Sequence, residues 1–93
     1  MIDQADGRLH IRVPMTLANA AGLLQAGRQA LGRGEQVIDL GAVAQADSSA
    51  VSLMLAWQRA AADLGANLRY ANVPPVVQAM VELYDVDALI PRC

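Results

Sequence analysis

Leu9, Ile11 and Val13 alternate with Arg8, His10 and Arg12, the period-two pattern of a strand with one buried face. Met1 to Gln4 and the triplet Ala5-Asp6-Gly7 complete a hairpin ahead of it, because Asp-Gly supplies the positive φ that a tight type I′ connection requires. The period then lengthens. From Thr16, which can cap a helix, Leu17, Ala20, Leu24, Gly27 and Leu31 recur at steps of three and four, a core stripe that ends at Gly32 and Gly34. Gln36 to Leu40 lacks strict alternation, as expected of a strand covered on more than one side. A second helix is predicted from Ser49 to Leu64, with Ala50, Met54, Trp57, Ala61 and Leu64 in its core stripe and Gly65 as its stop. Asn67 to Ala71 reads as another short strand. Asn72, Pro74 and Pro75 start a third helix, in which Val77, Met80, Val81 and Tyr84 face the core, and Val86 to Ile90 packs as a final strand or turn. Strand and helix alternating after a hairpin predict an α/β fold, since parallel strands need helical crossovers.

The second helix also has an unusual outer side. Ser49, Ser52, Ala56, Arg59 and Asp63 follow one another there, small residues first and charged ones last, whereas a solvated helix face carries more Lys and Glu. A shallow surface of that kind lets another backbone approach closely, so Ser49, Ser52, Ala56 and Arg59 form a candidate partner interface, with Leu53 and Leu55 flanking it. Arg59 and Asp63 are spaced for an i,i+4 ion pair. On the third helix Val76, Ala79 and Leu83 share a face next to the core stripe and can extend the same surface.

Composition narrows the function. The 93 residues form one modest core, with no linker, repeat or low-complexity stretch. Net charge is −2 and the seven basic residues are scattered, so no cationic stripe follows a nucleic-acid backbone. The longest apolar run, Leu53 to Trp57, is far shorter than a bilayer span, and the N-terminus has no basic, then apolar, leader pattern. A soluble, cytoplasmic protein is expected. Cys93 is the sole cysteine and cannot form an internal disulfide or a metal cage. His10, the only histidine, has no nucleophile or paired acid beside it in sequence, and the glycines match neither a P-loop nor a dinucleotide fingerprint. Asp39 and Asp47 read as residues that orient a loop, in preference to an acid/base or Mg²⁺ pair. No catalytic constellation and no cofactor site are expected.

Residues 37 to 55 carry the clearest motif: a buried strand through Asp39, a short loop, then Asp47-Ser48-Ser49 at the start of an apolar helix. Carboxylate and hydroxyl oxygens stand there where a helix leaves four backbone N–H groups without internal partners, so Asp47 and Ser49 are candidate loop and helix caps. The same helix end favours negative charge, which makes Ser48 a candidate phosphoacceptor or partner contact. A strand ending in an acidic residue, then Asp-Ser-Ser, then an apolar helix resembles the core motif of STAS domains, named for sulfate transporters and anti-sigma factor antagonists. The resemblance runs over nearly the whole chain. It implies a small mixed β-sheet of four or five strands with helices packed mainly on one side, in a single STAS-like domain over residues 1–93.

Two branches of that superfamily are this compact. One is the small STAS subunit of the Mla-type ABC transporter, a non-catalytic accessory protein that binds the cytoplasmic ATPase and, through it, the membrane permease. That resemblance implies a role in phospholipid trafficking and outer-membrane lipid asymmetry, peripheral to the inner membrane through the complex. The other is the anti-sigma factor antagonist, in which phosphorylation of the serine after the Asp, here Ser48, by an anti-sigma factor kinase switches partners. Ala50 departs from the Asp-Ser-Ser-Gly pattern of that second branch. The short hairpin, the leucine- and alanine-rich second helix and the ending Leu83 to Ile90 look closer to the transporter subunit.

Overall fold

A computed structural model describes residues 1–93. Strand β1 (Ile2–Ala5) turns at Asp6 and Gly7 (φ 55° and 75°) into β2 (Arg8–Ile11), with Ala5 opposite Arg8 at the turn. Both left-handed residues are what a type I′ connection needs. Helix α1 (Leu17–Ala30), strand β3 (Gly34–Asp39), helix α2 (Ser49–Asp63), strand β4 (Ala66–Ala71) and helix α3 (Pro75–Leu83) follow in alternation. The sheet order is β1-β2-β3-β4, antiparallel at the hairpin and parallel elsewhere. A one-residue bridge between Arg92 and Tyr70 adds the beginning of a fifth strand, reached after a 3-10 turn at Asp87–Leu89. The mixed sheet of four or five strands is therefore present, the fifth reduced to one bridge.

Register explains why the helices share one side. Leu9 lies opposite Ile38 and Ile38 opposite Tyr70, so a row of buried side chains crosses three strands on one face. The Tyr70 hydroxyl donates to the Met54 carbonyl of α2 at 2.7 Å, which identifies that face as the one beneath the helices. Burial of this phenol pushes its ionisation far upward. Leu9, Ile11, Ile38, Leu68 and Tyr70 join Leu23, Met54, Trp57, Val77 and Val81 in one contiguous core.

Helix α1 is rotated relative to the expected stripe. Leu23 and Gly27 are its buried positions, followed by the buried C-cap Leu31, whereas Leu17 is 77% exposed and Leu24 only half-buried. The cause is a close crossing: a Cβ on Gly27 would stand 2.1 Å from Nε1 of the fully buried Trp57, so Gly27 faces α2 and Leu23, one turn earlier, follows it inward. Leu23→Ala is therefore expected to cost about 2–5 kcal/mol and Leu24→Ala under about 1 kcal/mol, read as a difference in urea midpoints. Equal losses would contradict this rotation.

Smaller corrections concern the ends of the other helices. Leu53 and Val51 are buried together with Ala50, Met54, Trp57 and Ala61, while Leu64, at the C-terminal end of α2, is 39% exposed. Leu53 thus belongs to the core and also lines the floor of the surface depression beside Ser49, Ser52 and Ala56. Tyr84 is 48% exposed, because α3 has ended and Asp85 (φ 55°) turns the chain away from the core.

Candidate functional site

Two carboxylates organise the loop between β3 and α2. Asp39 closes β3 on the sheet face away from the helices, and its Oδ1 accepts the Gly41 N–H at 2.8 Å. Its Oδ2 accepts from Asn72 Nδ2 at 3.0 Å and from Arg8 Nη1 at 3.1 Å, so one buried side chain ties β2, the β3 exit and the β4 exit together. Burial by itself would raise its pKa, but these hydrogen bonds and the neighbouring His10 outweigh that and hold it below the ordinary carboxylate range. His10 is opposite Asp39 in register; its Nε2 is buried without a hydrogen-bond partner.

A group whose folded pKa is depressed stabilises the protein above the unfolded value of about 3.9 and loses that contribution as pH falls through the folded pKa. Asp39→Asn is thus expected to cost about 1.5–3 kcal/mol at neutral pH and to flatten the loss of stability below about pH 4. Denaturation midpoints across that range check it. An acid limb as steep in the variant as in the unmodified protein would assign the effect to other carboxylates.

Asp47 serves two helices. Its Oδ1 accepts the Ser49 N–H at 2.8 Å and its Oδ2 accepts the Leu17 N–H at 3.0 Å, capping α2 and α1 at once. Thr16, at the N-cap position of α1, makes no side-chain capping bond. The backbone hydrogen bonds from Leu17 and Ser49 lower the Asp47 pKa. Around it, Met15 N–H donates to Gln45 O and Asp47 N–H to Met15 O, so the two loops meet as a small bridge.

The remaining N–H groups in the first turn of α2 are also taken: Ala50 donates to Asp47 O, Val51 and Ser52 to Ser48 O. A phosphate on Ser48 would stand beside the Asp47 carboxylate. In the unmodified protein the first turn of α2 is thus capped from within. Ser48 is exposed and its hydroxyl makes no capping bond; Ser49 is half-buried, and its N–H is the group that donates to the Asp47 carboxylate.

Beside this loop a groove of about 400 Å³ runs between α1 and α2. Ser49, Ser52, Leu53, Ala56 and Arg59 line it from α2; Leu17, Ala20, Ala21 and Leu24 line it from α1. Four of the expected interface residues are thus brought together, and the α1 wall is what the sequence reading missed. Leu17, Ala20, Ala21 and Leu24 sit at i, i+3, i+4 and i+7; three of them, Leu17, Ala20 and Leu24, belong to the expected core stripe and line the groove instead. Leu55 lies on the other flank of α2, where it lines a separate hollow with Gln58, Ala62 and Leu89. Val76, Ala79 and Leu83 are exposed on α3 and line neither depression. Arg59 and Asp63 do not form the expected ion pair; the three ion pairs of the molecule are Arg8–Asp39, Arg12–Asp3 and Arg92–Asp87.

A family model described as "Mlab, STAS domain" matches residues 1–91. The chain belongs to the MlaB-like STAS family. Two solved structures share the STAS fold. A putative anti-sigma factor antagonist from Thermotoga maritima superposes with a TM-score of 0.75 at 11% identity, covering 99% of this chain and 83% of its own. The anti-sigma factor antagonist SpoIIAA, in its unphosphorylated form, gives 0.66 at 12% identity, covering 99% and 84%. No curated protein matches the sequence. Within this STAS domain no three His, Cys, Asp or Glu side chains are grouped to hold a metal ion, and no helix is long and apolar enough to cross a membrane.

Proposed function

We propose that this STAS domain, residues 1–93 as one unit, is a non-catalytic accessory subunit of an Mla-type ABC transporter, docking on the transporter's cytoplasmic ATPase through the α1–α2 groove. The groove itself carries the reading: small and apolar side chains from two helices, joined at one end to the loop of Asp47 and Ser48. Small residues let a partner backbone come close, and Leu17 offers an exposed apolar side chain at the rim. The MlaB-like family match supports the transporter as the setting. In that setting the domain works without cofactor or nucleic acid, in the cytoplasm, peripheral to the inner membrane through the ATPase and permease, and supports phospholipid trafficking and outer-membrane lipid asymmetry.

Asp47 keeps α1 and α2 in a fixed relation, so the groove is shaped before the partner arrives and less ordering cost falls on binding. Ser48 stands exposed at its end as a contact. Ser48→Thr is expected to bind the ATPase within about threefold of the unmodified protein, and Ser48→Glu at least about tenfold more weakly, because it adds bulk and charge beside Asp47. Titration calorimetry with the purified ATPase subunit checks both. Equal binding by Ser48→Glu would exclude Ser48 from the contact.

One observation favours the alternative of an anti-sigma factor antagonist. The Ser48 hydroxyl is exposed and free of a capping bond, so a kinase can reach it. Intact mass of the protein from its native host separates the readings: a phosphate mapped to Ser48 that changes with growth conditions supports the switch.

A further inference from the structure

Arg59 is the single charged residue lining the α1–α2 groove. It also lines the Leu55–Leu89 hollow on the opposite flank of α2 and a third depression with Arg28, Ala60 and Asp63, so it stands on the crest where all three surface depressions meet. It is exposed and forms no ion pair, with Asp63 one turn onward beyond pairing distance. Leu55, Ala56, Ala60 and Ala62 beside it offer no acceptor side chain, and its guanidinium makes no hydrogen bond to Ser52, Gln58 or Asp63, which share the three depressions. Arg28 lines that third depression from α1 and is likewise without an ion pair, so the depression next to the groove holds two cations and one carboxylate, none of them paired.

An apolar channel that ends on an unpaired guanidinium matches one kind of occupant. An amphipathic helix lays apolar side chains along such a channel at i, i+3 and i+4 spacing, and a carboxylate at its end gives the guanidinium the bidentate partner it lacks. We propose that the groove receives an amphipathic helix of the ATPase subunit bearing an Asp or Glu, and that Arg59 reads this carboxylate as the specificity-determining contact. This rests on the docking surface proposed above and adds the chemistry of its partner. Arg59 selects by charge, since a helix presenting Lys or Arg at that point meets repulsion, while the apolar wall supplies contact area without discrimination.

The test is calorimetric binding of the purified ATPase subunit of the host's Mla-type transporter to the full-length protein and three variants. Arg59→Glu is expected to weaken binding at least about tenfold, Arg59→Lys to weaken it less, because the charge stays while the bidentate fork is lost, and the affinity of the unmodified protein to fall with added salt. Lysine substitution of one Asp or Glu on the ATPase should restore binding to Arg59→Glu, a readout that altered packing alone would not give. Unchanged affinity of Arg59→Glu, when Ala56→Arg abolishes binding, overturns the carboxylate contact and leaves the groove as the docking site. Unchanged affinity in both variants removes the groove itself. Absence of binding by the unmodified protein overturns the proposed function, and the carboxylate contact falls with it.

Discussion

Gly27→Ala is expected to lower the stability of the protein by about 3 kcal/mol, although it adds a single methyl group to a helix and improves helix propensity. The added carbon would stand 2.1 Å from Trp57 Nε1, 2.7 Å from Cε2 and 2.8 Å from Cδ1, and the indole is fully buried with no room to move aside. Helices α1 and α2 must separate instead, opening the core around Leu23 and Met54. For a chain of this length a loss of that size corresponds to roughly 10–20 °C in Tm. Trp57→Leu removes the clash, so the double variant should lose less than the sum of the two single losses, a coupling visible in a double-mutant cycle. The indole Nε1 has no hydrogen-bond acceptor, so shape and not polarity fixes this crossing. A loss below about 1 kcal/mol would show that α1 can retreat from the indole at little cost.

Ala56→Arg is expected to weaken ATPase binding by roughly a hundredfold while changing stability by no more than about 0.5 kcal/mol. Ala56 lines the groove and is half-buried, so a long charged side chain there occupies space that the partner helix needs without entering the core. The contrast with Gly27→Ala is informative because both add bulk where α1 and α2 adjoin. One acts beneath the groove and breaks the fold; the other acts in it and breaks only the contact. Retained binding by a folded Ala56→Arg protein would remove this surface from the interface.

Local chemistry made much of the fold legible. Asp6-Gly7 announced the hairpin, and Gly65 (φ 72°) announced the stop of α2, which runs from Ser49 to Asp63 as the spacing predicts to within one residue. The rotation of α1 was not legible. Leu24 and Leu23 both satisfy three- and four-residue spacings, and the contact that chooses between them, Gly27 against Trp57, joins residues thirty apart. Asp47 shows the same limit: its bond to Ser49 is a local cap that Asp-Ser-Ser signals, whereas its bond to Leu17 is made only after α1 and α2 are brought together. Asp39 reads as a loop orienter, but Arg8 and Asn72 reach it across the sheet, from 31 and 33 residues away. The groove-lining residues Ser49, Ser52, Ala56 and Arg59 stand out in sequence because they break the composition of a solvated face. Leu17 and Leu24 escaped because an apolar stripe next to a core looks the same in sequence whether it is buried or left open.

Affinity purification of the tagged protein from its native host, with identification of the chains that co-purify, tests the central claim most directly. Recovery of a transporter ATPase together with its permease, lost in Ala56→Arg, is the result expected of an accessory subunit that docks through the α1–α2 groove. Recovery of a small kinase with no transporter component, unaffected by Ala56→Arg, would contradict it.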